Sequence, residues 1–488
     1  MGSAPSIVFL NTGGSSNGMV NHLHIGKLSG MLKRHFSLIC LIFITLFYFY
    51  EGHQKSRWRE NRVIINDVVI YYSYLPATFI KKDPLWNFYE KNEKEYNQKG
   101  QYWAFKSPQG GYIPKMSMGK AMMDLPFFLI ADWYTQFISN SPRDGFSRPY
   151  QYIITWSTLI YSVLGLLLLR GWLRRFFDDK TTGWTLLALA LGTNLFFYAT
   201  HETGMSHPHN FFLLAAALYI FPLWYNKRSF ILSVCFGIII GLLILIRPIN
   251  ILLLFPIVFM HRPKGMGAIP YLQSILSLKQ LLISIAAAII IWTPQLIFWK
   301  MQSGNWLYYS YGNESFFWLK PHVFEGLFSF RKGWFIYTPM MLLAILGLIP
   351  LYRKNKNSAR ILLLFLCVFL YVTFSWWCWW YGGSFGARTL IDILPLMAFP
   401  LAAGFEWVSR QKKRWILFIA PVFFVYLNNY QSWQYSQGFI HFDSMTYEGY
   451  TTIFLKDHTP IGYWEKLITP DYENSQKFGE ERNSMPLQ

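Results

Sequence analysis

The chain carries repeated apolar runs of about 15 to 20 residues, such as Phe36–Tyr50 and Leu281–Phe298. Helices of this length cross the hydrocarbon core of a bilayer, because every backbone N–H and C=O is satisfied within the segment. The runs lack the polar–apolar alternation of membrane barrel strands. Only 14% of the residues are charged, whereas a soluble domain carries about a quarter. The sequence therefore predicts an all-α polytopic membrane protein.

We predict about eleven membrane spans. They are 36–50, 150–169, 181–199, 210–225, 229–246, 249–260, 280–298, 334–352, 361–378, 389–406 and 415–430.

The net charge of +19 is concentrated in short loops between these spans. Basic residues favour the cytoplasmic side of a membrane, and an N-terminus on that side places every one of these loops there. The distribution of the charge therefore indicates which loops face the cytoplasm, and it gives no indication of nucleic-acid binding. The basic loop residues are Arg170, Arg174, Arg175, Lys180, Lys227, Arg228, Arg262, Lys264, Arg353, Lys354, Lys356, Arg360, Arg410, Lys412, Lys413 and Arg414.

Three regions lie outside the regular alternation of span and loop. Residues 1–35 are rich in Gly, Ser and Asn and are predicted to be a disordered tail. A long, largely polar segment at 51–149 falls on the outer face. Within it, 120–138 is predicted to be an interfacial or re-entrant helix, because counting it as a span would move the basic loops outside. The tail 431–488 is also placed outside and is predicted to fray after Asp471.

Asp67 stands in the outer segment about 16 residues after the first span. A carboxylate close to the membrane surface can take a proton from an acceptor hydroxyl or amine as a general base. The alternative is a solvated loop acid, and Asp83 on the same segment offers a second carboxylate.

The second outer loop holds His201, Glu202, His207 and His209 within nine residues. These groups could bind a divalent ion such as Mg²⁺ or Mn²⁺, or hold a phosphate, although the spacing matches no zinc motif. The alternative is a polar turn between two helices. Arg247 interrupts an apolar stretch, ILIRPINILLL, where a guanidinium is costly unless it faces a polar cavity or reaches a headgroup.

The segment 375–388, SWWCWWYGGSFGAR, combines four tryptophans with glycines and an arginine. Trp376, Trp379, Trp380 and Tyr381 fit either an interfacial aromatic belt or a surface that stacks on sugar rings or a prenyl chain. Arg388 enters the next span and is a candidate phosphate ligand.

Lys120 and Arg331 are further candidates for contact with an anion, because positive charge on the outer face runs against the topology rule. The alternative for each of them taken singly, and the favoured one, is a solvated loop residue.

Together these features resemble the GT-C membrane glycosyltransferases, in particular the protein O-mannosyltransferase and lipid A aminoarabinose transferase branch. Asp67 and 120–138 occupy the places where that superfamily has its catalytic acid and its interfacial helices, and Glu202 with its histidines lies in the second loop. The stretch YGGSFGARTLIDILPL is similar to a motif of bacterial members. Asn66 precedes Asp67, where related enzymes often have a second acid.

The resemblance implies a bacterial inner-membrane enzyme whose site faces the periplasm. It would move a sugar from a polyprenyl-phosphate donor to a glycan, lipid or protein acceptor with inversion. Asp67 would be the base. Arg388 and Arg247, supported by Lys120 or Arg331, would hold the donor phosphate, and a divalent ion at Glu202 and His201 could share that role. The donor tail would lie between spans, among membrane lipids.

Two other functions fit parts of the pattern. A transporter or flippase for a lipid-linked glycan would place acids and bases at mid-span and show inverted repeats. The spans are poor in carboxylates, which favours the enzyme. A glycan polymerase or ligase shares the same face and the same lipid-phosphate chemistry.

Overall fold

The computed structural model describes residues 35–276 and 278–486, so most of the predicted tail at 1–35 lies outside the described residues. The chain is mostly helical, and it contains short 3₁₀ segments at Arg57–Glu60, Pro248–Leu253, Arg388–Ile393 and Trp464–Lys466. The α-helices are Phe36–Lys55, Asp67–Tyr72, Tyr74–Phe79, Asn87–Lys99, Gly119–Phe137, Arg148–Leu173, Asp179–Leu191, Leu195–Thr200, His207–Lys227, Phe230–Ile246, Leu254–Phe259, Ala268–Leu276, Lys279–Ser303, Val323–Phe328, Trp334–Tyr337, Met340–Leu346, Leu348–Lys354, Lys356–Phe374, Leu394–Ser409, Arg414–Leu417, Ile419–Ser436, Tyr447–Ile453 and Tyr472–Phe478.

In the part of the chain that the structure describes, four two-residue strands form two small antiparallel pairs outside the apolar helices. Phe105–Lys106 pairs with Tyr112–Ile113, with Phe105 opposite Ile113. Ile468–Thr469 pairs with Met485–Pro486 near the end of the chain.

Among the described residues, five helical segments are long and apolar enough to cross a membrane, which agrees with a helical membrane protein. The predicted count of eleven is not confirmed. Several predicted spans are interrupted: 181–199 divides after Leu191, and 334–352 divides at Thr338 and at Gly347. The five segments are Phe36–Glu60, Arg148–Leu173, Lys279–Ser303, Lys356–Phe374 and Arg388–Ser409.

The helices form a bundle in which neighbours pack along much of their length. Arg148–Leu173 packs on His207–Lys227, and Phe230–Ile246 packs on Lys279–Ser303. Most of Arg388–Ser409 is buried, whereas little of Lys279–Ser303 is buried. The first of these two segments is therefore central to the bundle, and the second lies at its edge, where apolar side chains can contact lipid.

The segment 51–149 is folded throughout and returns to the bundle. Gly119–Phe137 is one continuous helix beside Arg148–Leu173, and it is not among the five membrane-length segments. Its buried face carries Lys120, Asp124 and Asp132. The interfacial position of this helix stays a prediction.

The end of the chain differs from the sequence expectation. The prediction that the tail frays after Asp471 is wrong, because the Asp471 carboxylate accepts a hydrogen bond of 3.0 Å from the Asn474 N–H and caps the helix Tyr472–Phe478. Glu481 then pairs with Arg331 at 2.6 Å. These contacts hold the tail against the loop that precedes Trp334.

Candidate functional site

Asp67 and Arg388 form an ion pair at the point where two cavities meet. Arg388 Nη2 donates to Asp67 Oδ2 at 2.8 Å and to the Tyr381 carbonyl oxygen at 3.0 Å. Both side chains line a polar cavity of about 720 Å³ and an aromatic cavity of about 360 Å³. Burial by itself would raise the pKa of Asp67, but the charges of Arg388, Lys115 and Arg247 outweigh it and lower the pKa. Asp67 is therefore ionised at neutral pH.

The backbone on either side of this pair adopts conformations that L-residues rarely take. Asn66, just before Asp67, has a φ of 50°, and Tyr381, whose carbonyl accepts from Arg388, has a φ of 56°. Gly382 follows with a φ of 67°. Glycine tolerates a positive φ, whereas Tyr381 is strained there and must be held by its surroundings. Asn66 is strained as well, because its ψ of −128° lies outside the left-handed region that asparagine accepts. The Tyr381 hydroxyl supplies one such restraint, because it donates to the Thr373 carbonyl at 2.7 Å.

The polar cavity is lined by Glu202 and His201 from the second loop, together with several residues between 54 and 68. Burial raises the pKa of Glu202 to about 7, although Arg388 partly offsets the effect. Burial lowers the pKa of His201 to about 3, assisted by the nearby charges of Lys55 and Arg57. His201 Nδ1 also lies within hydrogen-bonding distance of the Thr200 hydroxyl oxygen, at 2.8 Å.

The aromatic cavity combines cations with aromatic side chains. Lys115 pairs with Glu314, and Trp377 Nε1 donates to the other Glu314 oxygen at 2.9 Å. Arg247 shares this cavity with Arg388. Tyr71, Tyr309, Tyr311, Phe316, Trp376, Tyr381 and Tyr472 complete much of the wall.

Asp392 is a buried acid that the sequence analysis did not select. Its Oδ1 lies 2.9 Å from His207 Nδ1, and its Oδ2 accepts from Asn210 Nδ2 at 3.1 Å. Arg247 Nη2 lies 3.2 Å from His207 Nε2. The signal was present in the sequence: an aspartate inside the apolar run TLIDILPL is costly unless it has a buried partner.

Lys332 is a second buried ion beside the site. It is 2% exposed, and its ammonium donates to the carbonyls of Ser384 and Phe442. Burial lowers the pKa of Lys332 to about 7. The residue thereby connects the glycine-containing loop before Arg388 to the C-terminal segment.

Six predicted site residues do not line either cavity, namely Lys120, His207, His209, Arg331, Trp379 and Trp380. Lys120 and His209 both bind the carboxylate of Asp124, and all three side chains are fully buried between helices. Trp379 and Trp380 are also buried rather than open to a sugar.

Arg331, the remaining phosphate candidate, also lies outside both cavities. It pairs with Glu481, and its guanidinium lies 5.3 Å from the centre of the Trp380 ring. The corresponding predictions of phosphate binding by Lys120 and Arg331, and of stacking by the two tryptophans, are not supported by these positions.

The four second-loop residues do not converge on a metal position. His207 faces Asp392, His209 faces Asp124, and His201 faces the Thr200 hydroxyl. In the described ranges 35–276 and 278–486, no three His, Cys, Asp or Glu side chains are grouped to hold an ion. The residues present therefore do not fit the predicted Mg²⁺ or Mn²⁺ site.

No protein-family model and no curated protein matches the sequence. Among solved structures, the chain is similar to the apo oligosaccharyltransferase of Archaeoglobus fulgidus, with a TM-score of 0.46 and 14% identity over 94% of this chain and 62% of that one. It is also similar to the archaeal oligosaccharyltransferase AglB from Archaeoglobus fulgidus in complex with an inhibitory peptide and a dolichol-phosphate, with a TM-score of 0.45, 15% identity and the same coverage. The chain thus spans less than two thirds of the length of these proteins, and so distant a likeness identifies neither a family nor a reaction.

Proposed function

We propose that this protein is an integral membrane glycosyltransferase of the GT-C type. It would move a sugar from a polyprenyl-phosphate donor to a glycan, lipid or protein acceptor, with inversion, at the periplasmic face of a bacterial inner membrane. The observation that carries the proposal is the position of Asp67: an ionised carboxylate between a polar cavity and a cavity that contains two arginines.

The aromatic cavity suits the donor. Arg247 and Arg388 each have a buried Nε without a hydrogen-bond partner among the described residues. An unpaired buried donor is costly, and a phosphate oxygen would satisfy it with a charge-assisted hydrogen bond. Ile246 and Ile249 line the same cavity beside Arg247, so a prenyl chain could leave it between helices. Trp376 and Tyr381 offer aromatic surface to the sugar.

The polar cavity suits the acceptor. Asp67 uses Oδ2 to accept from Arg388, so Oδ1 can accept a hydrogen bond from an acceptor hydroxyl or amine. The acceptor atom attacks the anomeric carbon, its proton passes to Asp67, and the bond from that carbon to the phosphate oxygen breaks. Negative charge grows on the departing polyprenyl phosphate, where the two arginines stabilise it.

The pairing of Asp67 with Arg388 also couples binding of the donor phosphate to the basicity of Asp67. While paired, the carboxylate is a weak base, because the adjacent cation lowers its pKa. A donor phosphate on Arg388 would compete for the same guanidinium and raise the basicity of Asp67. The base would then be strongest when the donor is in place.

The test uses purified full-length protein in nanodiscs with a labelled polyprenyl-phosphate sugar. Asp67→Asn removes the base, and we expect turnover to fall by about 10²–10⁴-fold with donor binding retained. Arg388→Ala should weaken donor binding as well as turnover, and Arg388→Lys should recover part of the binding.

Matched controls are the exposed residues Asp457 and Arg410, where Asp457→Asn and Arg410→Ala should behave as the wild type. Normal turnover by Asp67→Asn and Arg388→Ala would exclude the mechanism. A flippase would instead move the labelled lipid across vesicles without consuming it, and a polymerase or ligase would require an extended acceptor glycan.

A further inference from the structure

We infer that Asp392 and His207 are positioning residues that orient the Arg247 guanidinium toward the anion in the aromatic cavity. The inference rests on the proposed function, because the anion is the phosphate of the lipid donor. It adds a relay of two residues that does not itself touch the substrate.

The direction of each hydrogen bond in this relay follows from the chemistry of its members. The Asp392 carboxylate accepts, so His207 Nδ1, at 2.9 Å, carries the proton. A guanidinium can only donate, so His207 Nε2, at 3.2 Å from Arg247 Nη2, presents its lone pair. His207 is therefore neutral and held in its Nδ1–H tautomer.

Burial makes this arrangement rigid. His207 and Asn210 are 0% exposed and Asp392 is 1% exposed, so water does not compete for their hydrogen bonds. Asn210 occupies Asp392 Oδ2 at 3.1 Å, which leaves Oδ1 for His207. The imidazole is thus fixed on one side before it meets Arg247 on the other.

The relay leaves other donors of Arg247 available for a ligand. Within the described part of the chain, the contact of Nη2 with His207 is the one hydrogen bond of the Arg247 guanidinium. Its Nε is buried and lies 3.6 Å from Asp392 Oδ2, beyond hydrogen-bonding distance. The Asp392 carboxylate therefore balances the charge of Arg247 without accepting a hydrogen bond from its Nε. The guanidinium remains able to bind an anion.

The experiment measures binding of polyprenyl monophosphate to the full-length protein in nanodiscs. Polyprenol without phosphate and inorganic phosphate alone are the two comparison ligands, which separate the contribution of the lipid tail from that of the anion. We expect His207→Leu to weaken binding of the phosphorylated lipid by about ten-fold or more, because Arg247 loses its oriented hydrogen bond. His207→Gln should recover most of the affinity, since an amide can donate to Asp392 and accept from Arg247.

A double-mutant cycle with Arg247→Gln separates orientation from general damage. If His207 acts through Arg247, then His207→Leu has little further effect once Arg247→Gln is present. His209→Leu is the matched control, because His209 is equally buried and bonded to an aspartate, yet that aspartate, Asp124, pairs with Lys120 rather than with an arginine of the cavity. It should leave the lipid dissociation constant unchanged.

The outcomes distinguish a failure of the relay from a failure of the phosphate site. Independent, multiplicative effects of His207→Leu and Arg247→Gln would overturn the relay while leaving the donor site intact. Equal binding of polyprenol and polyprenyl monophosphate by the wild type would overturn the phosphate site, and the relay with it.

Discussion

Two carboxylates in the polar cavity have pKa values that are shifted in opposite directions. Asp67 is paired with Arg388 and stays ionised, whereas Glu202 has no hydrogen-bonded cation among the described residues, and burial raises its pKa to about 7. Opposite shifts in neighbouring acids are common at catalytic sites, where one group must accept a proton and another must remain neutral. This contrast supports Asp67 as the base. It also makes the protonation state of Glu202 depend on pH near neutrality.

The raised pKa of Glu202 predicts that the stability of the protein depends on pH. Its pKa is raised on folding, so its contribution to stability is fully present below the unfolded pKa of about 4.5 and is lost as the pH rises through about 7. We expect the melting temperature of the wild type to fall relative to that of Glu202→Gln between pH 5 and pH 8, corresponding to a change on the order of 2 kcal/mol. Glu465→Gln, at an exposed acid, is the control. A difference that stays constant with pH would contradict the assignment.

At the scale of the element, both arginines of the aromatic cavity stand where a 3₁₀ segment leads into a helix. Arg247 precedes Pro248–Leu253 and the helix Leu254–Phe259, and Arg388 begins Arg388–Ile393 before Leu394–Ser409. The sequence signals are a proline after Arg247 and glycines before Arg388, which interrupt apolar runs. The interruptions bring a guanidinium to the end of each helix, beside the same cavity.

The helix pair that carries Arg247 depends on close contact at Gly237. A Cβ at this position would lie 2.2 Å from the Ser284 carbonyl oxygen, which belongs to the backbone of the neighbouring helix and cannot move independently. We expect Gly237→Ala to lower the free energy of unfolding by about 1–3 kcal/mol, measured by thermal or denaturant unfolding in detergent.

Gly404→Ala is the matched control for this substitution. A Cβ at Gly404 would meet its nearest neighbour at 3.6 Å, which is ordinary contact, so alanine should be tolerated or slightly stabilising in that helix. Equal losses of stability in the two variants would show that close packing at Gly237 is not the cause.

At the scale of the whole molecule, the site is assembled from segments far apart in the chain. Asp67 comes from the segment 51–149, and Arg247 and Arg388 come from two separate helix breaks. The C-terminal segment contributes Tyr472 to the aromatic cavity and Phe442 to the polar one. The part of the chain after Gln431 is therefore structurally part of the site rather than an independent tail.

The proposed topology can be tested by cysteine labelling in a variant without native cysteines. A membrane-impermeant maleimide, applied from outside to intact cells with a permeable outer membrane, should label Gln98→Cys and Asn313→Cys but not Lys412→Cys. Gln98 precedes the helix Gly119–Phe137 in the sequence and Asn313 follows it, and all three side chains are exposed. The reverse pattern would place the site on the cytoplasmic face. The native cysteines to be replaced by alanine are Cys40, Cys235, Cys367 and Cys378.

The sequence by itself determined the helical membrane class and selected Asp67, Glu202, Arg247 and Arg388, because the energetic cost of polar groups near a bilayer makes each of them conspicuous in apolar surroundings. Only the tertiary structure decided which of the candidates meet. His207 and His209 are two residues apart, yet helical geometry turns them toward Asp392 and Asp124 respectively. A linear pattern contains spacing but not the packing of distant helices. For that reason it could neither pair Asp67 with Arg388 nor separate the histidines into two clusters.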